Sequence, residues 1–354
     1  MPAHHFALGA DDIVLDSLPD SVEETIRKRD KWVADRRGRE PGLEFVVSDV
    51  QRWTPGRTVR VAFLGGTEAL HRDIEDATRV ITEACNLKLD FRNANGGFRT
   101  FTETDTEYAA EIRVSFDLGG YFSLVGTDSV NPLIGRAQDV VGGRPGQRSL
   151  NLGGFAVQRP TTWRGTTRHE FLHALSFHHS HQNMRGPCEQ EFRWDDDPGY
   201  QQTRDARGVF VADANGLRPG IYTYLSGPPN SWPKAQVDHN LRSQVDDPTV
   251  VAGPFDSASV MLYRFPALFY KSVPSRCAPT GDGTELSDGD RRGLQLLYPH
   301  TAAEVAAATT GRQALASGLE KRAAAREGLE SRGGDSERFE RATAETLKRA
   351  MAVK

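Results

Sequence analysis

The segment His169-Glu170-Phe171-Leu172-His173-Ala174-Leu175-Ser176-Phe177-His178-His179 constrains the fold more than any other part of the chain. Two imidazoles four positions apart lie on one face of an α-helix, so His169 and His173 reach a single ion if this stretch is helical. Glu170, one step round the same helix, falls beside that ion, where its carboxylate can take a proton from metal-bound water. His179 comes six positions after His173, too far along to share the face if the helix continues. It closes the ligand set only if the chain turns sharply between them.

The competing interpretation is an amphipathic core helix, which Phe171, Leu172, Leu175 and Phe177 would suit. Five of the ten histidines, however, fall between positions 169 and 181, and core packing has no use for that density. The spacing favours His179 as the third ligand, with His178 and His181 as alternatives. In another class of zinc enzyme the third ligand is a downstream carboxylate, for which Glu189 and Glu191 are the candidates.

Far downstream, Ser259-Val260-Met261-Leu262-Tyr263 places a methionine and a tyrosine among apolar residues, which alone would read as core. Taken with the histidine segment, it resembles the metzincin metalloproteases, whose zinc helix is followed by a tight Met-containing turn beneath the metal. Within that clan both segments are similar to the astacin signatures. The resemblance implies an α+β fold: a mixed twisted sheet with long helices and the zinc helix at the cleft floor. It implies one catalytic Zn2+ held by His169, His173 and His179, with Glu170 as general base. Tyr263 would reach the zinc or the oxyanion formed on it, and Met261 would form the structural turn. Residues 120–126 are similar to the metzincin edge strand that pairs with extended substrate, here through Tyr121, Ser123 and Val125. A carboxylate ligand belongs to a class lacking both His179 and the Met-turn.

Three positions depart from the family pattern. Ser176 stands where metzincins place Gly because the chain leaves the zinc helix with positive φ, at a cost on the order of 1 kcal/mol for a non-Gly residue. Ser180 replaces the usual Glu after the third histidine, and Leu262 replaces a common His.

Hydrophobic patterning predicts strands at 60–64, 87–91, 110–116 and 149–153. It predicts a helix over 67–85 with Leu70, Ile74, Ala77, Ile81 and Ala84 on one face, and a closing helix over 286–298. Residues 1–56 read as an N-terminal segment with a helix over 21–37. This segment reads as structural support for the domain or, as the alternative, as a latency segment lying across the cleft, with Asp11, Asp12 and Asp16 as its acidic groups. The resemblance implies that residues 57–300 are a metzincin-like zinc protease domain. Residues 301–354 read as two helices broken at 333–334, docked or contacting a partner. The Pro-, Gly- and aromatic-rich stretch 182–255 is expected to shape specificity. Asp195, Asp196 and Asp197 would be a solvated acidic loop, a calcium site or a selector of basic groups, whereas Arg204 and Arg207 would instead meet acidic side chains. His71 is expected on an exposed helix face and His239 in a solvated loop.

With 354 residues, 38% of them hydrophobic, the chain can bury a sizeable core. A net charge of −4 gives no nucleic-acid footprint. No apolar run approaches the roughly 18 residues of a membrane span. The start of the chain lacks the pattern of a secretory signal, which predicts action in the cytoplasm or export by a non-classical route. Cys85, Cys188 and Cys277 leave at least one free thiol and agree with a reducing compartment, although Cys188 and Cys277 could pair. Cys85 is expected to be a buried apolar residue.

Three neutral imidazoles would leave the metal its full charge, which suits hydrolysis of an amide bond. The expected function is therefore a zinc metalloendopeptidase acting on internal bonds of proteins or peptides. A protein that binds peptides or senses zinc without cutting is the other class.

Overall fold

The computed structural model describes residues 18–36, 50–243, 253–326 and 334–351. The acidic residues Asp11, Asp12 and Asp16 lie outside them. Helix α1 spans Asp20–Arg36, strand β1 Thr58–Leu64 and helix α2 Glu68–Thr82. Strands β2 (Lys88–Asp90), β3 (Ile112–Ser115), β4 (Tyr121–Ser123) and β5 (Leu150–Leu152) follow. Next come α3 (Trp163–Ala174), the short α4 (Cys188–Glu191), the hairpin β6 (Thr203–Arg204) and β7 (Phe210–Val211), α5 (Ile221–Ser226) and α6 (Lys234–Leu241). The chain closes with α7 (Asp288–Leu297), α8 (Ala302–Arg326) and α9 (Gly334–Met351).

The fold is mixed α/β, as expected. Its main sheet has the order β2-β1-β3-β5-β4. The first four strands run parallel and β4 runs antiparallel to β5 at the edge. Covered parallel strands read as apolar runs, and in β1 Val59, Val61, Ala62 and Phe63 are fully buried. Thr67 caps α2 by accepting from the Leu70 N–H at 3.2 Å, and Leu70, Ile74, Ala77 and Ile81 bury its predicted face. His71 corrects an expectation, since it is buried rather than exposed. Its ring stacks on Phe63 at 4.0 Å and its Nε2 meets the Gly65 carbonyl at 2.8 Å, so the helix buries a wider face than its aliphatic stripe.

The pairing of β4 decides which of its groups face outward. Leu124 N–H donates to the Ser149 carbonyl at 2.8 Å and Gly153 N–H to the Gly120 carbonyl at 3.0 Å. Antiparallel pairing alternates, so the even-numbered residues bond to β5 and Tyr121, Ser123 and Val125 turn their backbone toward the free edge. The Val125 carbonyl is already taken there by the Asp128 N–H at 3.1 Å. Behind this strand the fully buried Arg113 spends its guanidinium on five carbonyls, those of residues 110, 111, 129, 142 and 147. Burial pulls its pKa down to about 10.

A second core follows the histidine segment. It gathers Phe192, Trp194, Phe210, Tyr224, Trp232 and Phe269 around the disulfide Cys188–Cys277. Most aromatic residues expected to shape a specificity region therefore build this core instead. Cys188 and Cys277 thus pair, one of the outcomes the sequence allowed. Cys85 is buried, as expected. Asp196 accepts from the Gly220 N–H and Asp197 from the Arg218 N–H, so both carboxylates brace loops. Arg204 lies over the Phe210 ring and Arg207 pairs with Asp205. His239 sits on α6 rather than in a loop and is half-buried.

The N-terminal helix and the tail belong to one structure. Val22 and Ile26 of α1 pack on Phe122, Leu124, Ile134 and Val141. Trp32 and Val33 join Val50 and, from the α8–α9 hairpin, Leu319, Ala344 and Leu347, and Trp32 stacks on Phe339 at 5.5 Å. The hairpin is docked, and nothing in the described residues supports its expected partner contact. Arg29 of α1 forks onto both carboxylate oxygens of Asp128, and Gln51 Nε2 adds a third donor at 2.8 Å. Both charges are almost fully buried. Removing one partner from such a pair leaves an uncompensated buried charge. Asp128→Ala should therefore cost about 3–5 kcal/mol in urea unfolding, and the apolar double replacement Arg29→Met with Asp128→Leu much less. Equal losses in the two would argue against a desolvated pair.

Candidate metal centre

Helix α3 carries His169, Glu170 and His173 on a buried surface. Each histidine is oriented by a backbone carbonyl. His169 Nδ1–H donates to Val260 O at 2.8 Å, and His173 Nδ1–H to Phe177 O at 2.7 Å. A carbonyl only accepts, so the proton sits on Nδ1 and leaves Nε2 a bare lone pair. Those Nε2 atoms converge. His173 Nε2 lies 3.2 Å from that of His169 and 3.0 Å from that of His179.

The sharp turn required by His179 is present. Leu175 ends the helix, and Ser176 takes φ 74°, the left-handed conformation usually left to glycine. Two contacts offset this strain. Ser176 Oγ donates to the Gln51 carbonyl at 2.7 Å and lies 3.2 Å from the Tyr298 hydroxyl. Tyr298, fully buried at the end of α7, also donates to the Leu175 carbonyl at 3.1 Å. Gly126 allows this approach, because a Cβ there would lie 1.8 Å from the Gln51 carbonyl oxygen.

His169, His173 and His179 form a group able to hold a metal ion, their ligand atoms all within 4.8 Å of one another. A tetrahedral zinc with bonds of about 2.0–2.1 Å sets its nitrogens about 3.3 Å apart, close to the separations of 3.2 and 3.0 Å found here. The donor set fits. His178 is exposed and outside the group, whereas His181 is buried beside it. Glu189 is taken by Arg242 and Ser243, and Glu191 by Ser272, Ser275 and Arg276, so neither carboxylate joins the histidines.

The turn that carries Met261 packs against the three histidines. Its Val260 carbonyl holds His169, and its Met261 carbonyl accepts from the Ser180 N–H at 2.9 Å. Met261 is buried, and the Tyr263 ring packs 4.3 Å from His179 and 5.4 Å from His169. Asp290 anchors the turn, accepting from Ser259 Oγ at 2.6 Å and Val260 N–H at 3.0 Å. Patterning placed Asp290 in the closing helix without this role. Its signal was the capping box with Ser287, which aims the carboxylate at the helix start.

No family model matches the chain, and no curated protein matches it. The fold and site define a mixed α/β protein with a three-histidine centre, and similar solved structures include astacin-family zinc proteases. One is the structure of myroilysin, 22% identical with a TM-score of 0.47, the match covering 71% of this chain and 97% of that one. Another is high choriolytic enzyme 1, a hatching enzyme zinc-protease from Oryzias latipes (Medaka fish). It is 15% identical with a TM-score of 0.38, over 72% of this chain and 98% of that one. What the site can do follows from its own geometry.

Burial keeps these imidazoles neutral, with His169 brought down to about 4 and His173 and His179 well below the ordinary range. Unfolded histidines take up protons near pH 6.5. Between pH 6.5 and 4 the unfolded chain therefore binds more protons than the native one, and stability falls as pH falls. For His169 the loss is on the order of 1 kcal/mol per pH unit across that window, and His173 and His179 act in the same direction. Metal-free protein should thus show a melting temperature that drops steadily from pH 7 to 4.5. A flat profile would contradict neutral burial.

Proposed function

We propose that this protein is a zinc-dependent endopeptidase. The observation that carries this reading is the convergence of the Nε2 atoms of His169, His173 and His179 beside Glu170, on the helix that supplies two of them. When bound, the zinc supplies a Lewis acid that polarises the scissile carbonyl and acidifies the attacking water. His169, His173 and His179 would hold it as neutral ligands that leave its positive charge undiminished. Glu170 takes the proton from the water and passes it to the departing amine. Tyr263 donates a hydrogen bond to the oxyanion. Met261 supports the histidines.

Substrate would enter as an extended strand. The outward-facing backbone of Tyr121 and Ser123, with the N–H of Val125, whose carbonyl is engaged by Asp128, offers a ladder edge for a protein or peptide segment, the mode known as β-augmentation. Such an edge accepts the middle of a chain, hence cleavage of internal bonds.

The test pairs metal content with proteolysis. Wild type and Glu170→Ala should both carry about one zinc, measured by elemental analysis. The variant should cut a denatured protein about 10²–10⁴-fold more slowly, the usual weight of a general base. Stoichiometric zinc with no cleavage by wild type would instead leave a zinc-containing peptide-binding protein.

A further inference from the structure

His181 belongs to neither the metal group nor the chemistry above, yet it is fully buried against both. Its Nε2–H donates to the Asn240 carbonyl in the last turn of α6 at 3.0 Å. That leaves Nδ1 as an acceptor, which finds no hydrogen-bond partner among the described residues. The ring lies 5.1 Å from His179 at 18° to it, and 5.4 Å from Tyr263 at 29°. His179 and Tyr263 are 4.3 Å apart, so the three rings close a triangle. Phe265 meets His181 edge-on at 5.1 Å and closes its far side.

A residue that merely filled this space would be Phe or Leu, because a buried acceptor without a partner is costly. Histidine adds a flat ring whose rotation is fixed by a hydrogen bond. The carbonyl it grips is itself held. Asn240 Nδ2 donates to the Gln236 carbonyl at 2.9 Å, and Gln182 Nε2 donates to the His239 carbonyl at 3.0 Å, pinning α6 to the histidine segment. Buried Glu23 of α1 accepts from Gln236 and Asn240 at 3.4 Å each.

We propose that His181 is a positioning residue, which fixes the ring planes of His179 and Tyr263 and so the directions of the third ligand nitrogen and the phenol hydroxyl. The proposal rests on the zinc peptidase reading. The partners that orient metal ligands are commonly worth 10–100-fold in metal affinity or activity. Here the partner acts through stacking, from a ring tethered to the helix opposite.

The test compares His181→Phe, which keeps a flat ring but loses the tether, with His181→Leu, which keeps bulk alone. Zinc affinity is read by chelator competition and site geometry by the visible absorption of the Co2+-loaded protein. Turnover of a peptide is read as kcat and KM, in wild-type and Tyr263→Phe backgrounds. His181→Leu should weaken zinc or lower kcat by 10–100-fold with KM within about twofold, and should shift the cobalt bands. His181→Phe should fall between it and wild type. In the Tyr263→Phe background the loss in kcat from His181→Leu should shrink, because the two side chains act as one unit. Unchanged zinc affinity and cobalt bands in both variants would overturn the proposal. So would a kcat loss of the same size in both backgrounds, which marks general packing. If wild type holds zinc but cuts no peptide, the peptidase reading fails while zinc affinity and cobalt bands still decide the role of His181.

Discussion

The hydrogen bond from His169 Nδ1 to the Val260 carbonyl ties the two halves of the site together. The Nε2 lone pairs of His169 and His173 lie 3.2 Å apart and repel one another, and a cation between them relieves that repulsion. The metal-free chain must therefore hold them by other means. His169 is gripped by the Met-turn and His173 by the carbonyl of the turn it precedes. The Met-turn is in turn gripped by Asp290, whose carboxylate also accepts from the Ser287 N–H at the start of α7. Orientation thus passes from a helix cap to a loop, and from that loop to a ligand nitrogen. This is the arrangement in which groups around a metal site set the tautomer and direction of its ligands.

The second anchor comes from the N-terminal side. Gln51 and Trp53 reach the end of α3, the first through Ser176 Oγ and the second through Trp53 Nε1–H, which donates to the Ala174 carbonyl at 2.9 Å. The turn that delivers His179 is therefore held on one side by residues just before β1 and on the other by Tyr298. A left-handed serine persists where the surrounding structure over-determines it, and these contacts do so. Helix α1 continues the same support outward, through the buried Arg29–Asp128 pair and the apolar contacts with β4.

Much of this was legible in the sequence, and the limits follow from range. Local periodicity found β1 and α2, because their apolar positions repeat within a few residues. The His-Glu-x-x-His spacing found α3, and His179 required the turn that Ser176 makes. The edge strand around Tyr121 was also found. What stayed hidden depends on partners far away in sequence. Asp290 looked like one more acidic residue in a first helical turn, and Tyr298 like one more apolar position. His71 looked exposed because nothing local announces the Phe63 ring it stacks on. The aromatic residues of 182–255 looked like a pocket wall, because composition does not separate a second core from a binding surface.

The register of β4 joins support and proposed function. Side chains alternate along a strand, so the even residues Phe122 and Leu124 lie under α1 while the odd residues turn their backbone outward. A slip of one residue would exchange the two sets, exposing the apolar pair and burying the free ladder groups. Val22 and Ile26 therefore do more than cover the sheet. By making the even register the only one that buries Phe122 and Leu124, they fix which backbone groups an extended chain would meet beside the three histidines.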